Sequence, residues 1–115
     1  MQGEIFERPW GYYTVLEEGQ GYLIKTIQVN PNEKLSLQSH EHRCEHWIVL
    51  EGEAKVYLND KIFNLKCGES IDIAAGEKHS LENATCYNLK IAEVQKGDIL
   101  LETDIIRYED RYGRA

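Results

Sequence analysis

The sequence predicts an all-β sandwich or barrel, on three observations. Turn-forming residues recur at short intervals, as in the segments 19–21, 30–33 and 67–69. Between turns, polar and apolar residues alternate, most clearly over 22–29. No segment has the long 3.6-residue period that is typical of a helix. Short strands joined by frequent turns are typical of β-sandwiches and barrels.

The N-terminal half is predicted to contain four strands. Residues 1–11 are expected to form an arm, because Arg8 precedes Pro9 and the position before a proline disfavours helix. Strands are expected over 12–17, 22–29, 34–40 and 45–50, and a histidine-rich segment joins the last two.

The C-terminal half continues the pattern. Segments 54–58 and 61–65 predict a hairpin across Asn59-Asp60, a two-residue loop that tolerates positive φ. Further strands are expected over 70–73, around His79 and over 87–95. The tail, 104–112, is predicted to form one or two helical turns with Thr103 or Asp104 as N-cap.

Length and charge limit the classes of function. At 115 residues the chain is expected to be one domain, 1–115. A net charge of -7 argues against nucleic acid and anionic membranes as partners. There is no apolar run long enough to span a membrane, and the first residues do not resemble a signal peptide. We therefore expect a cytoplasmic protein.

The cysteines fit a reducing compartment. There are three, an odd number, and none forms a CxxC pair. Cys44 lies beside candidate metal ligands, but we favour a buried small hydrophobic role for it over ligation.

The segment 35–52 carries the strongest chemical signal. Gln38, His40 and His42 alternate, so on a strand they would share one face. Glu45 follows closely, and His79 occurs in a second segment, 68–83. Imidazole and carboxylate groups together suit a first-row divalent metal ion.

These two segments resemble the two motifs of the cupin family. In the first motif, Gln38 and His40 occupy the His-x-His positions, followed by Glu45 and Gly52, and Asn32 stands where the family has glycine. The second motif is matched by Gly68, Gly76, His79 and Asn83, with Ala74 in place of proline. The resemblance implies a cupin double-stranded β-helix, or jelly-roll barrel.

A closer resemblance covers nearly the whole chain. Four segments, 8–11, 35–47, 93–97 and 112–114, are similar in order to the cupin domain of type II phosphomannose isomerases. That domain usually follows a mannose-1-phosphate guanylyltransferase. This chain lacks a glycine-rich nucleotidyltransferase segment, so we do not expect guanylyl transfer from it.

The resemblance implies a metal site and an isomerase. It assigns the metal ligands to Gln38, His40, Glu45 and His79, with zinc favoured and Mn, Co, Ni or Fe as alternatives. Gln38 could instead orient a histidine. The implied reaction interconverts mannose 6-phosphate and fructose 6-phosphate through a cis-enediolate.

The remaining roles stay open at the level of sequence. Candidates for proton transfer are His42, Glu93 and Glu102, against the alternative of solvated charges. Candidates for phosphate binding are Arg107, Arg43, Lys25 and Arg114, although Arg107 could simply pair with Asp104 or Asp110. His46 should face away from the site. Trp10 and Trp47 are expected in the core or at its rim, and Trp10 could also cover a pocket or a neighbouring subunit.

Two other functions compete with an isomerase. One is a non-catalytic cupin that binds a metal ion or a sugar. The other is a different cupin enzyme, a dioxygenase or an epimerase. In each case we expect a homodimer, because small β-barrels often pair exposed edge strands between subunits.

Overall fold

The described part of the chain forms eleven short strands. The computed structural model describes residues 3–110 and 112–113, and these contain no helix, hence none that could span a bilayer. The strands are β1 (Ile5–Arg8), β2 (Gly11–Gly19), β3 (Tyr22–Val29), β4 (Leu37–Ser39), β5 (Arg43–Glu51), β6 (Ala54–Leu58), β7 (Lys61–Leu65), β8 (Ser70–Ile73), β9 (His79–Glu82), β10 (Leu89–Gly97) and β11 (Ile106–Glu109).

The strands form two antiparallel sheets around one core. One sheet has the order β1-β2-β3-β10-β5-β8, and the other has β11-β4-β9-β6-β7. Both sheets contribute to a single apolar cluster, which includes Trp47 and Val49 from the first and Val56 and Leu81 from the second. The predicted all-β sandwich or barrel is therefore confirmed.

The inward face of the central strands changes from apolar to polar along its length. On β5 the buried side chains run from Val49 and Trp47 to Glu45 and Arg43. Strand β10 changes in the same way, from Leu89 and Ile91 to Glu93 and Gln95, and β3 from Val29 and Ile27 to Lys25. Because these strands are neighbours, the polar ends meet and form a buried polar region at one end of the sandwich.

Most of the predicted strands occur close to their expected positions. The segments 22–29, 54–58, 61–65 and 70–73 match in both bounds. Asn59 has a φ of 54°, as the two-residue hairpin requires. Asn32, which replaces the motif glycine, likewise has a φ of 61°. The N-terminal arm differs from the expectation, because residues 5–8 pair with 11–14 and form a strand.

The predicted helical tail is wrong. Residues 106–109 form β11, which pairs with β4 and places Arg107 opposite Gln38. Strand β4 would otherwise present an unpaired edge, and Ile106 and Tyr108 favour strand. Asp104 still caps main-chain groups, but those of another segment, since its carboxylate accepts the N–H groups of Glu41 and His42.

The prediction of a buried thiol at Cys44 is also wrong. Cys44 is exposed, as are Cys67 and Cys86, and all three are free thiols. Along β5 the side chains alternate, so Cys44 points outward because Arg43 and Glu45 on either side of it point inward.

Candidate metal centre

Three potential metal ligands meet at the polar end of the sandwich. His40 follows β4, Glu45 lies on β5 and His79 begins β9. One donor atom from each lies within 4.8 Å of the others, and all three side chains are buried. The Nε2 atom of His40 is 3.4 Å from Glu45 Oε2, and that of His79 is 3.7 Å from Glu45 Oε1.

Main-chain contacts orient both imidazole rings. Nδ1 of His40 lies 2.7 Å from the carbonyl oxygen of Asp104, and Nδ1 of His79 lies 2.9 Å from that of Glu77. A carbonyl oxygen can only accept a hydrogen bond, so each Nδ1 carries the proton and each Nε2 carries a lone pair. Each Nε2 lone pair is thus the one that could bind a cation, as in metal-bound histidines, although that of His40 also lies 3.2 Å from Nη2 of Arg43.

Burial keeps both rings neutral. It lowers the pKa of His40 to about 4, and the nearby Arg43 guanidinium acts in the same direction. Burial also lowers the pKa of His79. Both residues can thus offer a lone pair at neutral pH without first losing a proton.

Glu45 is unfavourable as a buried anion unless a cation is close. Its burial and the adjacent Glu93 carboxylate raise its pKa to about 8, although Arg43 opposes the shift. The Arg43 Nε group donates to Glu45 Oε2 at 2.8 Å, and both side chains are almost fully buried. A divalent ion at this position would stabilise the ionised carboxylate.

The donor set fits a metal ion. The decisive observation is the Nε2 atom of His79, which is buried and has no hydrogen-bond partner in the part of the chain that the structure describes. An unpartnered buried lone pair is costly, and a cation bound to it would remove that cost. Gln38 is opposite His79 in the β4–β9 pairing and lines the adjoining pocket, so its side chain could complete the set.

A pocket opens beside these residues. Its enclosed volume is about 60 Å³, room for a cation and a few water molecules. The charged residues in its wall are Arg8, Lys25, Arg43, Arg107, Glu45, Glu93 and Glu102.

Glu93 and Lys25 form the buried support of this pocket. Lys25 Nζ is 3.5 Å from Glu93 and also 3.5 Å from the more exposed Glu102. Glu93 accepts hydrogen bonds of 2.7 Å from the Trp47 indole and from Gln95. Burial would raise the pKa of Glu93, but Lys25 and Arg43 outweigh it and hold that pKa well below its usual range. These contacts suit an anchor for Lys25 better than a proton acceptor.

The other two candidates for proton transfer occupy different places. Glu102 lies in the pocket wall beside Lys25. His42 does not line this pocket: its side chain is about half exposed and lies over a separate depression with Glu41 and Thr103. The expectation that His42 faces the metal position is wrong, because strand alternation stops at Ser39 and the chain bends before β5.

Arg107 reaches the pocket from the edge strand β11. Its Nε atom is buried and has no hydrogen-bond partner among the described residues. Arg43 and Lys25 line the same pocket, so three of the four arginine and lysine candidates come together. Arg114 lies outside the described residues.

Sequence reasoning did not identify Arg8 and Tyr13. Arg8 lines the pocket, donates to the Tyr13 hydroxyl at 3.3 Å and stacks over its ring. Lys25 Nζ lies 4.1 Å from the centre of the same ring. The family-like segment Arg8-Pro9-Trp10-Gly11 was the sequence signal that could have pointed to Arg8. Trp10 of the same segment is also buried in the pocket wall.

The remaining predicted residues take mainly structural positions. Trp47 is buried in the core, and its ring contacts His79 at 5.6 Å between centroids. His46 faces away from the site, and its Nδ1 atom contacts Asp72 at 2.5 Å. Asn83 is fully buried and holds the main chain through the carbonyl oxygens of Val29 and Tyr87.

Comparison with known proteins assigns a family. Residues 2–110 match the family described as mannose-6-phosphate isomerase C-terminal. The chain is 46% identical over all of its length to mannose-1-phosphate guanylyltransferase ManC of Salmonella typhimurium, covering 24% of that protein. It is 46% identical over 94% of its length to the xanthan biosynthesis protein XanB of Xanthomonas campestris, covering 23%.

Solved structures share the fold at low sequence identity. Oxalate decarboxylase from Bacillus subtilis superposes with a TM-score of 0.81 at 15% identity, over 91% of this chain and 30% of that one. An RmlC-like cupin from Shewanella frigidimarina gives 0.76 at 20% identity, over 84% and 85% of the two chains. These matches establish the architecture alone.

The relatives correct the expected activity. The chain spans less than a quarter of the length of these two relatives. Those proteins are named for guanylyl transfer to mannose 1-phosphate or for xanthan biosynthesis. The prediction of a mannose-6-phosphate isomerase is therefore wrong as an assignment of function, although a sugar-phosphate enzyme context is supported. The solved structures confirm the predicted cupin double-stranded β-helix. By its match over residues 2–110, the chain belongs to the mannose-6-phosphate isomerase C-terminal family.

Proposed function

We propose that this domain binds one divalent metal ion, zinc, and uses the charged pocket beside it to bind a mannose phosphate. The metal ligands would be His40, Glu45 and His79, with Gln38 as the fourth. The observation that supports this most strongly is the unpartnered, buried Nε2 atom of His79, directed at Glu45.

The donor chemistry favours zinc. Two imidazoles, one carboxylate and one amide oxygen form a four-ligand set of nitrogen and oxygen atoms. The imidazoles disfavour magnesium and calcium, which prefer oxygen ligands alone. When bound, the ion would supply positive charge and polarise an oxygen atom of the ligand.

Charge favours a phosphorylated ligand. Four cationic side chains, those of Arg8, Lys25, Arg43 and Arg107, share the pocket with three carboxylates. A divalent ion would leave the pocket clearly positive, and this would favour a dianion such as a phosphate monoester.

The choice of sugar comes from the relatives. Proteins that share 46% identity with this chain are named for mannose 1-phosphate, and the family description names mannose 6-phosphate. A sugar-phosphate binding module that accompanies a guanylyltransferase would fit both names. The homodimer and the cytoplasmic location stay predictions.

Metal analysis and calorimetry test the proposal. Purified protein should contain about one zinc ion per chain and bind mannose 1-phosphate or mannose 6-phosphate, but not mannose. His79→Gln should lose zinc and weaken sugar-phosphate binding together. His46→Gln, which changes a histidine that faces away from the site, is the matched control and should retain both. Full zinc content in His79→Gln, or equal binding of mannose and its phosphates, would contradict the proposal.

A further inference from the structure

Arg43 contacts two of the three proposed metal ligands, His40 and Glu45. Its Nη2 group lies 3.2 Å from Nε2 of His40, and its Nε group donates to Glu45 Oε2 at 2.8 Å. Its Nη1 group makes a long contact of 3.5 Å with the carbonyl oxygen of Leu101. The guanidinium thus takes the place of a cation between two of the three proposed ligands.

The contact with His40 cannot persist once a metal ion binds there. Because Nδ1 of His40 donates to Asp104, Nε2 has a single lone pair, which lies in the plane of the ring. That lone pair can accept from Arg43 or coordinate a metal ion, but not both. The 2+ charge would also repel the guanidinium at this short range.

The contact with Glu45 can persist. Glu45 offers two oxygen atoms: Oε2 faces Arg43, and Oε1 faces His79 at 3.7 Å. A metal ion bound through Oε1 would leave the Arg43 Nε–Oε2 hydrogen bond in place. The side chain would therefore stay anchored while its Nη2 group loses its acceptor.

A free Nη2 group needs a new acceptor. Arg43 is 6% exposed, so water cannot fully replace the lost hydrogen bond. The side chain lines the proposed anion pocket together with Lys25 and Arg107. A phosphate oxygen in that pocket would satisfy the released donor with a charge-assisted hydrogen bond.

Resting on the proposed function, we infer that Arg43 couples the two ligands: metal binding transfers its Nη2 group from His40 to the bound anion. Metal and sugar phosphate then bind with positive cooperativity. By linkage, each ligand raises the affinity for the other by the same factor. Without the metal ion, Arg43 donates to the buried acceptors His40 Nε2 and Glu45 Oε2 and is withheld from the anion.

Removal of the guanidinium should have opposite effects on the two ligands. In Arg43→Gln, His40 is released and a positive charge is lost, so zinc affinity should rise several-fold. Affinity for mannose 1-phosphate should fall about tenfold or more, because a charged donor is lost. A residue with only a structural role would weaken both.

The coupling factor separates this inference from simple charge attraction. Affinity for mannose 1-phosphate is measured with zinc and with a chelator, in wild type and in variants. In wild type, the affinity with zinc should exceed the affinity with chelator by about tenfold or more. In Arg43→Gln, this ratio should fall to a small remainder that is due to the zinc charge. Arg107→Gln, the matched control in the same pocket, should weaken anion binding but keep the ratio.

The arginine side chains can be followed directly by NMR. In ¹⁵N-labelled protein, zinc should shift the Nε–H resonance of Arg43 more than that of Arg107. If Arg43→Gln does not fold, Arg43→Lys provides the same test. A lysine has a single ammonium group, which cannot hold Glu45 and also move from His40 to the anion as two guanidinium nitrogens can. An unchanged ratio, or weaker zinc binding, in a folded Arg43 variant overturns the inference. Absence of zinc binding in wild type would instead overturn the proposed function.

Discussion

The Nδ1 atom of His40 lies 2.7 Å from the main-chain carbonyl oxygen of Asp104, 64 residues further along the chain. The Asp104 carboxylate accepts the N–H groups of Glu41 and His42 at 3.0 Å each. One residue of the segment after β10 therefore holds both the ring of a candidate metal ligand and the backbone next to it. The segment contributes few buried apolar side chains, since Ile99 and Leu101 are exposed, so these polar contacts hold it in place.

We predict that Asp104→Ala weakens zinc binding by about tenfold, the lower end of the range for residues that orient a metal ligand. Loss of the carboxylate frees the backbone at Glu41 and His42 and lets the Asp104 carbonyl move away from His40. Competition with a chromophoric chelator measures the change. Asp98→Ala, an exposed position in the same segment, is the control and should bind zinc as wild type does.

We predict that Glu93→Gln lowers the free energy of unfolding by about 3 kcal/mol at pH 7, because it leaves the Lys25 ammonium buried beside a neutral amide. Urea unfolding at equilibrium measures this. The double variant Lys25→Met with Glu93→Gln should be more stable than Glu93→Gln alone, since no uncompensated charge is left. If Glu93→Gln is as stable as wild type, the buried pair does not support the pocket.

The same variant has a predicted pH dependence. The pKa of Glu93 is about 2 in the folded protein, against an ordinary value of 4.5. A carboxyl group whose pKa is lowered by folding stabilises the folded state above pH 4.5. This contribution is lost as the pH falls towards the pKa of the folded protein. Wild type and Glu93→Gln should therefore converge in stability between pH 4.5 and pH 2. A constant difference over that range would contradict the lowered pKa.

We predict that Gly97→Ala costs about 3 kcal/mol of stability, because the added methyl group overpacks the junction of β5 and β10. A Cβ atom there would lie 2.1 Å from the carbonyl oxygen of His42 and 2.9 Å from Cα of Arg43. Gly68→Ala is the comparison, since a Cβ there meets nothing within 4 Å and only its positive φ of 89° is strained. That strain costs about 1 kcal/mol. Thermal unfolding of both variants measures the difference, and equal losses would argue against close contact at Gly97.

We predict that all three thiols react with a disulfide reagent in the native protein, because each cysteine is exposed. Three equivalents should titrate without denaturant, with Cys67 slowed by its hydrogen bond to the Leu50 carbonyl oxygen. Zinc should stay bound throughout, since Cys44 points away from the metal position. Zinc release on modification, or its loss in Cys44→Ser, would contradict that orientation.

Local pattern was sufficient for much of the sheet. The hairpin of β6 and β7 and the strand β8 were predicted with their observed bounds, because alternation and turn residues act within a few positions. Motif spacing selected His40, Glu45 and His79, which the fold brings together. Local pattern failed at the tail, where pairing with β4 outweighed the helix signal at Asp104.

By itself, the sequence determined the all-β class, most strand positions and the identity of the ligand-type residues, because these depend on neighbours in the chain. Only the tertiary structure decided that His42 turns outward, that Arg8 joins the pocket and that Arg43 lies between His40 and Glu45. Those placements depend on where a loop bends and on which strands meet across the sandwich. Contacts between distant segments set both, and local periodicity carries no information about them.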